Sequence, residues 1–224
     1  GSVSLSGQRA SSAKWGGTGG KTAVYAGGPV AQGLALRVNA ERSHVNPVAL
    51  REDRRYSEIE GRRSTSGSFS ARYALNARHT FEAGIQHGSE DRFYDDVARS
   101  ARATPYQNTY KVNRDHGYGQ WNGVFGNDVK AQLRAYRSAI GVSTHRTNGV
   151  APTRPQDMRD VVGDGFVQWR MGGHRLTAGG EWRREKLINA GLTGGKDSAT
   201  HKALFAQDEF AFASHLIATL GVRV

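Results

Sequence analysis

The sequence predicts an all-β protein: an antiparallel, up-and-down transmembrane β-barrel wall of about eleven strands. Three observations point there. Period-two alternation of apolar and polar residues recurs along the chain, while helical periodicity is nearly absent. The links between the alternating segments are short and long by strict turns. No stretch approaches the ~18 consecutive apolar residues of a membrane-spanning helix, yet a barrel hides its apolar content by alternation.

The segments follow in order. Val3 and Leu5 alternate with Ser2, Ser4 and Ser6, and a less regular segment covers Thr22–Gly27. Leu34, Leu36, Val38 and Ala40 alternate with Ala35, Arg37 and Asn39. Phe69, Ala71, Tyr73 and Leu75 alternate with Ser68, Ser70 and Arg72, and Phe81, Ala83 and Ile85 with Thr80, Glu82 and Gln86. Gly117–Phe125 is again less regular. Val129, Ala131, Leu133 and Ala135 alternate with Lys130, Gln132 and Arg134. Val167, Trp169 and Met171 alternate with Gln168 and Arg170, and Leu176, Ala178, Gly180 and Trp182 with Arg175, Thr177, Glu181 and Arg183. Lys202–Phe210 and the alternating Leu216–Val222 complete the set.

Gly27–Gly33, Leu75–His79, Gly126–Val129, Met171–Arg175 and Phe212–His215 are short links; Gln8–Lys21, Glu41–Arg63, His87–Asp115, Ser143–Gly163 and Glu185–His201 are long polar ones. In a meander, alternate links fall at opposite ends. One end therefore carries tight turns and the other large loops, as in outer-membrane barrels. Soluble β-sandwiches mix link lengths more evenly, and structureless loops this long are uncommon in compact soluble domains.

Composition narrows the function. The chain has 224 residues, 29 Gly, 5 Pro and no Cys, which removes disulfides, thiolate metal sites and cysteine nucleophiles. Mean hydropathy is −0.61, net charge +11 and the isoelectric point about 10.2. A basic chain suggests nucleic acid, but the polar face of the regular segments holds Arg37, Arg72, Lys130, Arg134, Arg170, Arg175, Arg183 and Arg223 against Glu82 and Glu181. The stretches Glu41–Arg63 and His87–Asp115 are nearly balanced, with six Arg against five acids and five bases against five acids. The positive excess belongs to the wall. A basic bore suits an anionic solute or an internal plug; the plainer reading is that these arginines meet only water and neighbours. Aromatic and basic residues lie mostly on opposite faces, which argues against single-stranded nucleic acid. Trp169, Trp182 and Tyr73 fall on the apolar phase, where a barrel places its aromatic girdles and a soluble protein its core.

No catalytic constellation, cofactor motif or metal site emerges. His87, His116, His145 and His174 recur every 29 residues, but the meander puts the first three on loops or loop borders and His174 in a turn at the opposite end, so no one site collects them. "DRFYDD" at 91–96 is read as a solvated acidic stretch rather than a calcium site.

The strings "LTAGGEWRREKL", "NAGLTGGKDSATH", "KALFAQDEFAF" and "LIATLGVRV", with "GSVSLSGQ", "YAGGPVAQGLALRVNAERSH", "IEGRRSTSGSFSARYALNARHTFEAGIQHGSEDR" and "YKVNRDHGYGQWNGVFGN" upstream, resemble in order and spacing the barrel of TonB-dependent outer-membrane receptors. They are most similar to ferric catecholate siderophore receptors of the colicin I and enterobactin receptor type. The resemblance covers essentially the whole chain. It implies that residues 1–224 form the first half of a barrel of about 22 strands, in the bacterial outer membrane, without the plug. It implies a ferric siderophore as ligand, TonB acting through the plug, contact with outer-membrane lipid and lipopolysaccharide, and colicins or phages as further partners. A half-wall leaves the strands near Val3 and Leu220 unpaired, so the isolated chain is expected to aggregate.

Ferric catecholates are anionic and aromatic, and guanidinium meets them by charge, donor geometry and stacking. The ligand-contact candidates are Arg51, Arg54, Arg55, Tyr56, Arg62 and Arg63 in one loop and Arg99, Arg102 and Tyr106 in the next, with Tyr94 beside them. Replacing Arg54 and Arg55 by Ala is expected to weaken ferric-siderophore binding; the plainer reading leaves these charges solvated or paired with lipopolysaccharide phosphates and acids. The competing function is a complete small barrel acting as adhesin, pore or protease, which would call for an even strand count and a terminal aromatic.

Overall fold

The computed structural model describes residues 1–9, 15–99, 102–213 and 216–224, with the side chains of 212 and 213 set aside. Among the described residues thirteen strands run in order: β1 (Ser2–Gln8), β2 (Gly19–Ala31), β3 (Leu34–Val45), β4 (Val48–Ala49), β5 (Ser57–Ile59), β6 (Gly61–Ala74), β7 (His79–Val97), β8 (Pro105–Phe125), β9 (Val129–Arg146), β10 (Gln156–Met171), β11 (His174–Asn189), β12 (Lys196–Ala213) and β13 (Leu216–Arg223). Eleven of them make one sheet in the order β1-β2-β3-β6-β7-β8-β9-β10-β11-β12-β13, each antiparallel to its sequence neighbour; β4 and β5 form a separate small hairpin. This is the up-and-down meander the alternation predicts. The sheet is open, with β1 and β13 at its edges.

Tight links gather at one end. Gly172 takes φ +60° at the first central position of the two-residue link between β10 and β11, a conformation that costs glycine nothing. At 75–78 the Asn76 Oδ1 accepts the N–H groups of Arg78 and His79 at 2.8 and 2.9 Å, capping the turn locally. The link placed at Phe212–His215 falls largely outside the described residues.

The long links are shorter than the sequence suggests. β7 runs on to Val97 and β8 starts at Pro105, so the loop expected over His87–Asp115 shrinks to 98–104. Likewise 147–155 replaces Ser143–Gly163 and 190–195 replaces Glu185–His201. The reason is physical. Alternation is regular near the tight turns; further along, Phe93 and Val97 on one face and Glu90, Tyr106 and Asn108 on the other are buried, polar and apolar residues share each face, and pairing continues without the pattern. As a consequence His87, His116 and His145 lie within strands, not on loops.

Register assigns the faces, because directly opposed residues share a side. One row runs Tyr73, Phe81, Trp121, Leu133, Gly165, Gly180, Leu204 across seven strands. The row one residue away runs Arg72, Glu82, Gln120, Arg134, Asp164, Glu181. The first face, called outward below, leaves large apolar groups uncovered: Trp169 is 48% and Trp182 41% exposed. Exposure at that level argues against an ordinary soluble core. Among the described residues the buried apolar set is small, Phe93, Val97, Tyr106 and Val162, so the sheet is held by its ladders rather than by a packed interior.

Candidate functional site

The inward face is polar and internally matched. Arg134 Nε meets Asp164 Oδ2 at 3.0 Å, Arg175 meets Glu209 at 2.8 Å, and Arg183 meets Asp160 at 3.3 Å and Glu185 at 2.6 Å. Arg223 reaches Glu181 at 3.6 Å and Lys21 reaches Glu41 at 2.8 Å. The Tyr118 hydroxyl donates to Glu82 at 2.6 Å. The extended strands supply acids that the alternating segments alone did not reveal, so much of the basic bore is neutralised in pairs.

Near the loop end the inward face of β7, β8 and β9 carries a denser group. Arg92 opposes Tyr110, Tyr94 opposes Asn108 and Asp96 opposes Tyr106; across the next ladder Arg146 opposes Asn108 and Ile140 opposes Arg114. Tyr94 and Tyr110 stack with centroids 6.4 Å apart. The Tyr106 hydroxyl donates to Asp96 at 2.9 Å, and the Arg146 guanidinium lies 5.5 Å above the Tyr106 ring while its Nε donates to the fully buried Asn108 at 2.8 Å. Beneath them Glu90, 5% exposed, is clamped by Arg62 and by Arg92, whose Nε lies 2.5 Å from Oε1. Burial alone would raise the Glu90 carboxyl; the bond from Arg92 and the charges of Arg62 and Arg114 outweigh it and hold the group below its ordinary value. Burial pushes the Tyr94 phenol up, as do its tyrosine neighbours; burial and the bond to Asp96 do the same for Tyr106. Both stay protonated donors at neutral pH.

The structure sorts the sequence candidates into two groups. Tyr106 and Arg62 belong to the inward group, but on strands β8 and β6 rather than on loops. Arg63 is also on β6, and its guanidinium sits 4.7 Å over Phe93 on the outward side. Arg51, Arg54, Arg55 and Tyr56 lie in the 46–60 excursion, which folds against the top of β7: the Asp95 N–H donates to Ser57, and Gly61 abuts both Phe93 and Pro47. Arg54 rests 4.8 Å over Trp15. Arg55 is held by Asp53 through a 2.6 Å ion pair and the Arg55 Nε, and Arg51 is exposed. The hydrogen bond from Arg55 pulls the half-buried Asp53 carboxyl below its ordinary value. Arg99 and Arg102 are exposed in the 98–104 link. Arg92, Tyr110, Arg114 and Arg146 were missed by the sequence reading; their signal is the continued register of β7–β9, which is visible only once the strands are known to run on.

Among the described residues no three His, Asp or Glu side chains gather as a metal site. His87 bonds Asp115 at 2.6 Å on the outward face, His116 stands on the inward face beside Tyr118 and Tyr136, and His174 bonds Asp208 at 2.7 Å near the tight turns.

An open, eleven-stranded meander with wide links at one end, an outward apolar face and an inward polar one has the fold of an outer-membrane barrel wall. Among solved structures it superposes on the ferric enterobactin receptor PfeA of Pseudomonas aeruginosa, seen in a double mutant, with a TM-score of 0.76 at 17% identity, covering 99% of this chain and 38% of that one. It matches the siderophore receptor PirA of Acinetobacter baumannii at 0.77 and 13% identity, covering 98% and 37%, and the copper transporter OprC at 0.64 and 12%, covering 88% and 34%. The chain thus spans under two-fifths of the length of these receptors and matches barrel only. At these identities the likeness is one of fold. No family model and no curated protein matches the sequence.

Proposed function

We propose that this chain is part of the barrel of a TonB-dependent outer-membrane receptor that takes up a ferric siderophore of the catecholate kind, captured at the loop end. The observation that carries the reading is the inward group at the mouth: stacked Tyr94 and Tyr110, the Arg146–Tyr106 pair, and Arg92 and Arg114 beside them. Planar guanidinium and phenol donors on one wall suit an anionic ligand built of aromatic rings. The loop residues Arg51, Arg54, Arg55, Tyr56, Arg99 and Arg102 are proposed as outer contacts, and Arg62 and Arg63 as supports of the rim. TonB, acting through a plug, supplies the coupling; lipid and lipopolysaccharide surround the wall, and colicins or phages are candidate users of the loops. Copper as well as siderophore cargo occurs among the similar folds, so the mouth chemistry, not the fold, selects the ligand. No enzymatic role or nucleic acid partner is proposed.

The test is equilibrium binding of ferric enterobactin to the full-length receptor in detergent, beside a hydroxamate siderophore complex and free copper. Binding of the catecholate at least tenfold tighter than either, and lost in an Arg92→Ala/Arg146→Ala double variant, supports the reading. Equal affinities for all three, or an unaffected variant, overturn it.

A further inference from the structure

The outward face changes character at one level. On β9 it reads Val129, Ala131, Leu133, Ala135 and then Arg137; on β11 it reads Leu176, Ala178, Gly180, Trp182 and then Arg184 and Lys186. Arg137, Val161 and Arg184 share one cross-strand row, Arg159 opposes Lys186 in the next, and Lys202 opposes Trp182 one row nearer the turns. A membrane crossing takes about 9–11 strand residues. Counted from the tight turns, that span on β11 is 174–184 and on β9 is 129–139. Cations from four adjacent strands therefore meet at the height where lipid tails give way to headgroups.

Two further observations give this patch a ligand. First, among the described residues none of the five pairs with a carboxylate, whereas the inward Arg134, Arg175, Arg183 and Arg223 all do. Of the outward acids nearby, Asp115 is bound to His87, and Asp157 lies one row further toward the loops. Second, an apolar groove of about 1330 Å³ opens directly on the turn side of the patch. Gly163 leaves it open, the Leu133 and Leu204 side chains lie over Gly165 and Gly180, and Trp182 and Lys202 stand on its lining.

We infer that the outward face of β9–β12 holds one phosphorylated lipid of the outer leaflet, a lipopolysaccharide. Arg137, Arg159, Arg184, Lys186 and Lys202 take its phosphate groups, and an acyl chain lies in the glycine-floored groove. The inference rests on the membrane-wall part of the proposed function and not on the identity of the siderophore. Guanidinium forks bind phosphate oxygens bidentately, and lysine adds point charge. Cations near an anionic lipid surface each strengthen binding roughly fivefold. The groove has room for a chain at Gly163: a Cβ added there would meet no atom within 4 Å, so a larger residue fills the space without displacing the backbone, whereas the Leu133 and Leu204 side chains already lie over Gly165 and Gly180.

The test uses the full-length protein, extracted from outer membranes, delipidated in mild detergent and checked for folding by its heat-dependent electrophoretic mobility. It is titrated with diphosphorylated lipopolysaccharide, with the same glycolipid after phosphate removal, and with inorganic pyrophosphate, and bound copies are counted by native mass spectrometry. The expected result is one tightly bound diphosphorylated lipid, weakened about twentyfold or more in Arg159→Gln/Lys186→Gln, weakened likewise in Gly163→Leu, and weak binding of both other probes. Equal affinity for the dephosphorylated lipid, tight binding of pyrophosphate alone, or folded variants that bind like the wild type would overturn the inference. Ferric-siderophore affinity measured on the same samples separates the two readings: lipid retained while siderophore is not bound upholds the lipid site and counts against uptake.

Discussion

Arg134 and Asp164 face each other across β9 and β10, Nε to Oδ2 3.0 Å, on the inward side of the wall, while Leu133 and Gly165 one step away face outward. The pair lies within the charged row of the bore, where it meets water. Arg134 is 45% exposed at its side chain and Asp164 18%, so solvent screens much of the attraction. A double-mutant cycle with Arg134→Ala and Asp164→Ala, followed by urea unfolding in micelles, should give a coupling of about 0.5 kcal/mol, and not above ~1. A coupling of several kcal/mol would mean the bore is dry.

The two faces should respond oppositely to charge. Leu133→Arg places a cation in the outward apolar row, which the proposed membrane wall sets against lipid, and is expected to cost about 2–4 kcal/mol of folding free energy in bilayers. Gln132→Arg, one residue away and inward, should change stability by less than about 1 kcal/mol. Equal penalties at both positions would remove the distinction between lipid and water.

Glu90 links stability to pH. Its carboxyl is held below the ordinary value in the folded wall, so its contribution is fully present above the unfolded pKa of about 4.3 and is lost as pH falls through the lower folded value. The window lies on the acid side of about pH 4.3. Glu90→Gln should therefore flatten the fall in stability measured by tryptophan fluorescence over that range, and should lower the plateau at pH 7. A wild-type curve already flat below pH 4.3 would contradict the clamp by Arg62 and Arg92.

At the mouth, Tyr94→Ala and Tyr110→Ala remove one stacked pair. Each should weaken ferric-catecholate binding by roughly tenfold, in line with about 1 kcal/mol for an aromatic contact plus lost positioning. Arg55→Ala should do less, because Arg55 stands on the 46–60 excursion, apart from the inward group at the mouth. Titration by intrinsic fluorescence quenching distinguishes them, and an Arg55 effect larger than both tyrosines would move the site onto the 46–60 excursion.

The lower half of the wall was legible in the sequence. The runs Leu34–Ala40, Val129–Ala135 and Leu176–Trp182 alternate because one face of the sheet is apolar and the other polar, and they fall on β3, β9 and β11 in the expected phase. The upper half was not. His87–Val97 and Pro105–Asp115 pair residue for residue, but each face there mixes buried polar groups such as Glu90 and Asn108 with buried Phe93, Val97 and Tyr106, so no alternation marks the strands. That is why Tyr106, Arg62 and Arg63 read as loop residues, and why Arg92, Tyr110, Arg114 and Arg146 did not read as a group. The tight turns were legible through Gly172 and Asn76, whose backbone roles are local.

The two faces of the wall differ by a single residue step, and adjacent residues on β10 test that difference most directly. These 224 residues hold no cysteine, so Val167→Cys and Gln168→Cys can each carry a spin label in the full-length protein, with any cysteine outside them replaced by serine, reconstituted in bilayers. The label at 167 should collide with dissolved oxygen and be shielded from a water-soluble nickel complex, and the label at 168 should show the reverse. Two labels with the same accessibility, both wet or both sealed, would contradict a wall with lipid on one side and an aqueous bore on the other.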